Sequence, residues 1–247
     1  MFENFAAMLN TDLLLAALIA ALSGVIHGYT GFGAALVLVP LFTLLFGPVE
    51  AIAVSVVIGM IGSAQLYPGA VRNARWRELL PVCGAIIICT PVGVLALVNL
   101  DAEIIRRAMG AFVFLAASVL ISGWVYRGPR GIFASAVAGG LAGSITGATG
   151  VGGPPLALYF LAAPQPVEVQ RANIVIAIGA VIIMVLGSLF FAGGVGAGTL
   201  QHAIILAPAY VLGTWSGSRL FRIAPKEYFR RVALWLLLAT GIGVLFF

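Results

Sequence analysis

Charge-free length constrains this chain more than any other feature. Its thirteen Lys and Arg and eight Asp and Glu are clustered, leaving uncharged stretches at 13–49, 51–71, 79–100, 108–126, 131–167, 172–218 and 232–247. A bilayer core about 30 Å thick takes about 20 apolar residues at ~1.5 Å per residue, and backbone in lipid must satisfy its own hydrogen bonds. The alternation of a membrane barrel is absent, so helices are expected. Composition agrees: 9% of the 247 residues are charged and 62% are hydrophobic, and the mean hydropathy is +1.15, whereas soluble domains carry roughly 25% charge. The net charge of +5 comes from residues where loops meet the membrane, which is a signal of orientation and not of nucleic-acid binding. No Lys or Arg precedes the first apolar run, unlike a cleaved signal peptide, so the first helix is expected to stay. Cys83 and Cys89 lie six apart in one apolar stretch, which favours plain packing over a disulfide or a metal site.

Three of the stretches are too long for one crossing; 172–218 divides at the chargeless loop 193–198, and the other two are each interrupted near the middle. Stretch 12–47 contains Gly28-Tyr29-Thr30-Gly31-Phe32-Gly33, and stretch 131–163 contains Gly147-Ala148-Thr149-Gly150-Val151-Gly152-Gly153-Pro154-Pro155. Glycine and proline discourage helix at both places. The remaining spans are predicted at 50–68, 79–99, 108–126, about 168–192, 200–218 and 232–247, with Pro91 expected to kink the second. Basic connections at 72–78, 127–130 and 219–231 alternate with a balanced loop around Asp101, Glu103, Arg106 and Arg107 and a chargeless loop at 193–198.

The two halves repeat each other. At an offset of 119, Gly24, Gly28, Thr30, Gly31 and Gly33 pair with Gly143, Gly147, Thr149, Gly150 and Gly152. Val49-Glu50 then matches Val167-Glu168. At an offset of 124, Thr90, Gly93 and Arg106-Arg107 pair with Thr214, Gly217 and Arg230-Arg231. Positive charge follows the second apolar stretch in the first half and the third in the second half. Because positive loops mark the cytoplasmic side, that swap predicts opposite orientations for the halves. The expected fold is an all-α polytopic membrane protein of two inverted repeats, 1–127 and 128–247. Each repeat has one broken or hairpin stretch plus three spanning helices, about eight hydrophobic segments in all, with both termini outside.

Broken helices at membrane depth are tolerated where their freed backbone groups line a cavity, and paired breaks in inverted halves point to a transporter's binding site. A half-helix N-terminus offers polarised N–H groups to an anion without a buried cation. The backbone donors expected here are Gly28, Gly31, Gly33, Gly147, Gly150, Gly152 and Gly153, within runs that also include Tyr29, Phe32 and Pro154. Thr30, Thr146 and Thr149 add hydroxyls. The competing reading is that the glycines only permit close helix packing. His27 directly precedes the first break and could donate to an anion or carry a proton, its unperturbed pKa being about 6.5. Ser55 and Asn173 occupy matching positions after the breaks, with Ser63 and Gln65 deeper; Thr214 and Ser216 are weaker candidates for lining. Asn173 could equally cap a helix.

No Asp or Glu lies well inside a span, which argues against a carboxylate proton relay and against an acidic cation site. A nucleotide-binding P-loop, an HExxH metal motif and a GxSxG nucleophile are all missing, so neither a pump nor an intramembrane hydrolase is supported. Gly24 through Pro40, Gly143 through Pro155, the two-half layout and the Val-Glu after each break resemble the sulfite exporter TauE/SafE family of membrane transporters. That resemblance implies movement of small sulfur-containing anions, such as sulfite, sulfoacetate or other organosulfonates, across the bacterial inner membrane. One departure stands out: Ala34-Ala35 occupies the place of Gly153-Pro154. The expectation is therefore a secondary anion transporter, not an enzyme, with alternating access. Its expected partners are a small anion, the lipid bilayer and a second copy of the chain, with no cofactor, metal or nucleic acid. An anion channel and a non-transporting membrane scaffold are the alternatives.

Overall fold

The architecture comes from a computed structural model that describes residues 11–122, 126 and 128–223. Among these residues it is all helix: α1 (Thr11–Thr30), α2 (Ala34–Phe46), α3 (Pro48–Ser63), α4 (Tyr67–Asn73), α5 (Trp76–Asn99), α6 (Ala102–Ile121), α7 (Ile132–Thr149), α8 (Gly153–Leu161), α9 (Val167–Phe191) and α10 (Ala197–Ile223). Among the described residues four helices, α1, α5, α7 and α9, are long and apolar enough to cross a membrane, and the bent pair α3–α4 makes a fifth. The expected span 232–247 lies outside the described residues.

Both long stretches break where the glycine runs stand, between α1 and α2 and between α7 and α8. Three other expectations shift. The span drawn at 50–68 ends at Ser63, and α4 leaves it at 70°. Pro68 has no N–H and its ring opposes the carbonyl four residues back, which disfavours a straight helix through that point. Leu66 N instead closes a tight turn on Ser63 O at 2.8 Å. Glu103, Arg106 and Arg107 belong to the first turns of α6, not to a loop, with Arg107 Nε donating to Glu103 Oε1 at 2.9 Å across one helical turn. α10 likewise runs on to Ile223 and carries Arg219 and Arg222.

Glycine sets how the helices cross. A Cβ on Gly139 would meet the Val82 backbone, one on Gly143 would meet Ile86 and Thr90, and one on Gly147 would meet Thr90, Gly93 and Val94. α5 and α7 therefore advance together, parallel and with backbones nearly touching. α1 and α10 do the same, through Gly213 on Ala21 and Val25, Gly217 on Val25 and Tyr29, Gly24 on Tyr210 and Thr214, and Gly28 on Thr214 and Ser218. Small residues are what permit such approach in a membrane, where no hydrophobic force draws helices together. These are the most extensive helix contacts among the described residues, and each joins a helix from the first 127 residues to one from the rest of the chain.

α3 runs parallel to α10: Glu50 at its start accepts from Thr199 Oγ1 at 2.6 Å, and Gly62 near its end lies against Tyr210. α9 runs the other way, with Gly179 on Tyr67, Ile182 on Gly59 and Gly194 on Val49. Two cores result. One gathers Phe32, Leu36 and Val39 with Ile86, Phe160, Ile174 and Val185; the other gathers Ala34, Leu38 and Phe42 with Ala16, Ile58 and Leu206. α2 thus contributes opposite faces to both cores. Leu18, Ile88, Val92, Ile204 and Leu212 stay exposed, a broad apolar outer surface suited to lipid contact.

Candidate functional site

The two breaks are built alike. Gly31 N bonds to His27 O at 2.7 Å and Gly150 N to Thr146 O at 2.8 Å, each closing its helix. Gly31 (φ 82°) and Gly150 (φ 72°) hold the left-handed conformation that a helix end commonly takes and that glycine takes without penalty. A threonine one residue earlier then clamps the turn: Thr30 Oγ1 accepts from Phe32 N at 3.2 Å, and Thr149 Oγ1 accepts from Val151 N at 3.3 Å. Each hydroxyl also donates to the carbonyl four residues back, Ile26 O at 2.7 Å and Ile145 O at 2.8 Å. The paired threonines serve their own turns.

The breaks meet. A Cβ on Gly153, the first residue of α8, would lie 3.8 Å from Gly33 N and 3.7 Å from the Phe32 ring. Around this meeting point lies a cavity of about 70 Å³, room for about two waters at the ~30 Å³ each occupies in the liquid. Its walls include His27, Phe32, Gly33, Ser55, Thr146, Gly150, Gly152 and Gly153 from the expected set, joined by Ala34, Ala35, Leu36, Val39, Val56, Ile178, Val181, Ile182 and Tyr210. No Lys, Arg, Asp or Glu is among the wall residues. Two helix N-termini, those of α2 and α8, open onto it.

The other expected residues are held elsewhere. Gly28 and Gly147 lie in the two helix crossings. Tyr29 packs edge-on to Phe221 at 6.1 Å between ring centroids. Gly31 rests on Val175 and the Arg171 stem. Thr30 and Thr149 clamp their turns, and Pro154 is buried in the first turn of α8. Gln65 is exposed and donates to Val211 O at 3.2 Å. Asn173 is fully buried, with Oδ1 accepting from Arg75 N at 2.8 Å at the start of α5.

Within the cavity wall, His27 Nε2 shares a hydrogen bond of 2.9 Å with Ser63 Oγ, and its ring lies 6.1 Å from that of Tyr210. Thr146 Oγ1 donates to Ala142 O at 2.6 Å. Ser55 is only 7% exposed, and its hydroxyl has no partner. A buried hydroxyl with no hydrogen bond costs on the order of 1–3 kcal/mol.

Arg171 is the residue that sequence reasoning undervalued. Its Nη2 donates to Gly28 O at 2.5 Å and its Nε to Tyr29 O at 3.1 Å, while Cζ stands 4.2 Å over the Phe221 ring. The guanidinium thus caps the C-terminal end of α1, where freed carbonyls and the helix dipole favour a cation. The available signal was a lone cation placed just inside a long apolar helix, four residues after Val167. Nothing local could have shown that it reaches back across 142 residues.

The model of the family described as sulfite exporter TauE/SafE matches residues 16–244. A protein of Cupriavidus necator described as probable sulfite/organosulfonate exporter TauE is 29% identical over 228 residues, covering 87% of this chain and 87% of its own length. No solved structure matches the chain. The apolar helices make it a multi-pass membrane protein, and the family's members are transporters, not enzymes. With the match spanning both breaks and both halves, the chain belongs to the sulfite exporter TauE/SafE family.

Proposed function

We propose that the protein is a secondary transporter of small sulfur-containing anions, sulfite or organosulfonates, in the inner membrane. The anion is held where the two breaks face each other, and access alternates as the halves move. The observation that carries this reading is a single cavity walled by both breaks, with His27, Ser55, Thr146 and Tyr210 as its polar side chains and two helix N-termini at its edge. Helix N-termini present N–H groups and a positive dipole end, which suit an anion with no buried cation beside it.

The proposed frame is two inverted halves, 1–127 and 128–247, within an eight-segment layout. Parallel pairing of α5 with α7 and of α1 with α10, with α9 antiparallel to α3, supports it. With those directions, α1 and α2 enter and return on one side of the bundle, and α7 and α8 on the other, which is the arrangement inverted transporter repeats use. The basic residues Arg72, Arg75 and Arg130 fall at the end where α5 and α7 begin, so that end is read as cytoplasmic.

Counterflow of labelled organosulfonate in proteoliposomes tests the reading. Saturable exchange of internal for external anion is expected. Flux that grows linearly with concentration and shows no counterflow would instead indicate a channel, and absence of any flux would indicate a scaffold. Bulky replacement of both Gly31 and Gly150 is expected to abolish exchange; unchanged exchange would remove the breaks from the mechanism.

A further inference from the structure

The two breaks share a turn but do not offer the cavity the same chemistry. α8 begins Gly153-Pro154-Pro155, and its two prolines remove two N–H groups from the first turn. α2 begins Ala34-Ala35 at the matching positions, and both line the cavity with their N–H groups in place. The first N–H groups of a helix have no acceptor within it. The next span adds to the same asymmetry. Ser55, 7% exposed, lines the cavity and its buried hydroxyl has no partner, while its counterpart Asn173 lies away from the cavity, with Oδ1 accepting from Arg75 N and Nδ2 buried without a partner. Across from these donors, α9 contributes only apolar wall: Ile178, Val181 and Ile182.

We infer that the first half holds the charged head of the anion, through the N–H groups of Ala34 and Ala35 and the hydroxyl of Ser55, while the α9 wall holds an apolar body. This rests on the transport reading above and specifies its substrate: a singly charged oxyanion bearing a short alkyl body, in preference to a doubly charged inorganic oxyanion. Each helix N-terminus is equivalent to about half a positive charge, so the two that open onto the cavity match one negative charge and not two. Without a cation in the wall, a second charge would be stripped of water uncompensated. Each methylene placed on the α9 wall gains about 0.8 kcal/mol, or roughly fourfold in affinity.

The test uses the full chain, in detergent for ligand-induced thermal shift and in proteoliposomes for counterflow. The probes are methanesulfonate, ethanesulfonate, propanesulfonate, sulfite and sulfate. Affinity is expected to rise roughly two- to fourfold per methylene across the sulfonates, with sulfate at least tenfold weaker than propanesulfonate. Ser55→Ala and Ala35→Pro should each weaken all three sulfonates by ~10-fold or more, as loss of a hydrogen bond to a charged group implies. Proline is tolerated in a first helical turn, and Ala35→Pro copies what Pro154 already does in the second half. Ile182→Ala should flatten the chain-length dependence, weakening propanesulfonate more than methanesulfonate. Sulfate binding equal to propanesulfonate, or wild-type affinities in Ser55→Ala together with an Ala35→Pro protein of wild-type thermal stability, would overturn the inference. Failure of transport is separable: thermal shifts in the expected order without counterflow would sustain this site and refute the transporter reading, whereas counterflow of sulfate ahead of the sulfonates would do the reverse.

Discussion

The first break and the second break are the same turn placed in different surroundings. Both end a helix on a left-handed glycine, both clamp the chain with a threonine hydroxyl, and both lie beside a helix crossing so tight that only glycine fits. They differ in what touches them. The first is capped by Arg171 and followed by a helix start with its N–H groups intact; the second has no matching cation, because Ala53 stands at the position equivalent to Arg171, and it is followed by two prolines. The shared turn is what the membrane demands of interrupted backbone. The differences are where one half can specialise.

The comparison breaks most sharply at the crossings. Gly28→Leu and Gly147→Leu each push a side chain into the backbone of α10 or α5, and each is expected to cost more than ~3 kcal/mol, read as loss of monodisperse protein after detergent extraction. Tolerance of either would mean that its pair of helices is not in contact. Next is the arginine. Arg171→Ala leaves the carbonyls of Gly28 and Tyr29 without their donor and is expected to cost about 2–3 kcal/mol in thermal or denaturant unfolding. Arg171→Lys should recover under half of that, since a point charge cannot serve both carbonyls as a planar fork does. Full recovery with lysine would reduce the cap to simple charge.

The threonines sharpen the likeness. Thr30→Val and Thr149→Val should each cost about 1 kcal/mol and cost the same; a twofold difference would show that the turns are not equivalent. Ser216→Ala is the smallest change expected, within about 0.5 kcal/mol and without effect on counterflow, because Ser216 is exposed and bonds only to Leu212 O in its own helix.

Much of the fold was legible in one dimension. Charge-free length marked the apolar helices, and the glycine runs marked both interruptions to within a residue or two. The paired positions Thr90 and Thr214, and Gly93 and Gly217, proved to lie at the two matching helix crossings. The bend after Ser63 was missed although Pro68 signalled it, because apolar composition continues through the bend. For the site, the sequence pointed to both runs as wholes, but glycine serves two purposes that composition does not separate. Gly28 and Gly147 let helices touch; Gly150, Gly152 and Gly153 line the cavity. Polar residues at depth divided in the same way, with Ser55 at the cavity and Asn173 and Gln65 bonded to backbone elsewhere.

By itself the sequence determined what hydrophobicity and backbone chemistry determine: helices across lipid, two places where helix must stop, and an internal repeat that fits no single-span pattern. Those are local consequences of side-chain transfer and of residues that cannot hold a helix. Only the tertiary structure decided which helices cross which, that the two breaks face one cavity, that Arg171 reaches Gly28 and Tyr29, and that Ser55 lines the cavity while Asn173 reaches the Arg75 backbone. Each of these depends on atoms brought together from more than fifty residues apart, and no sequence spacing encodes that.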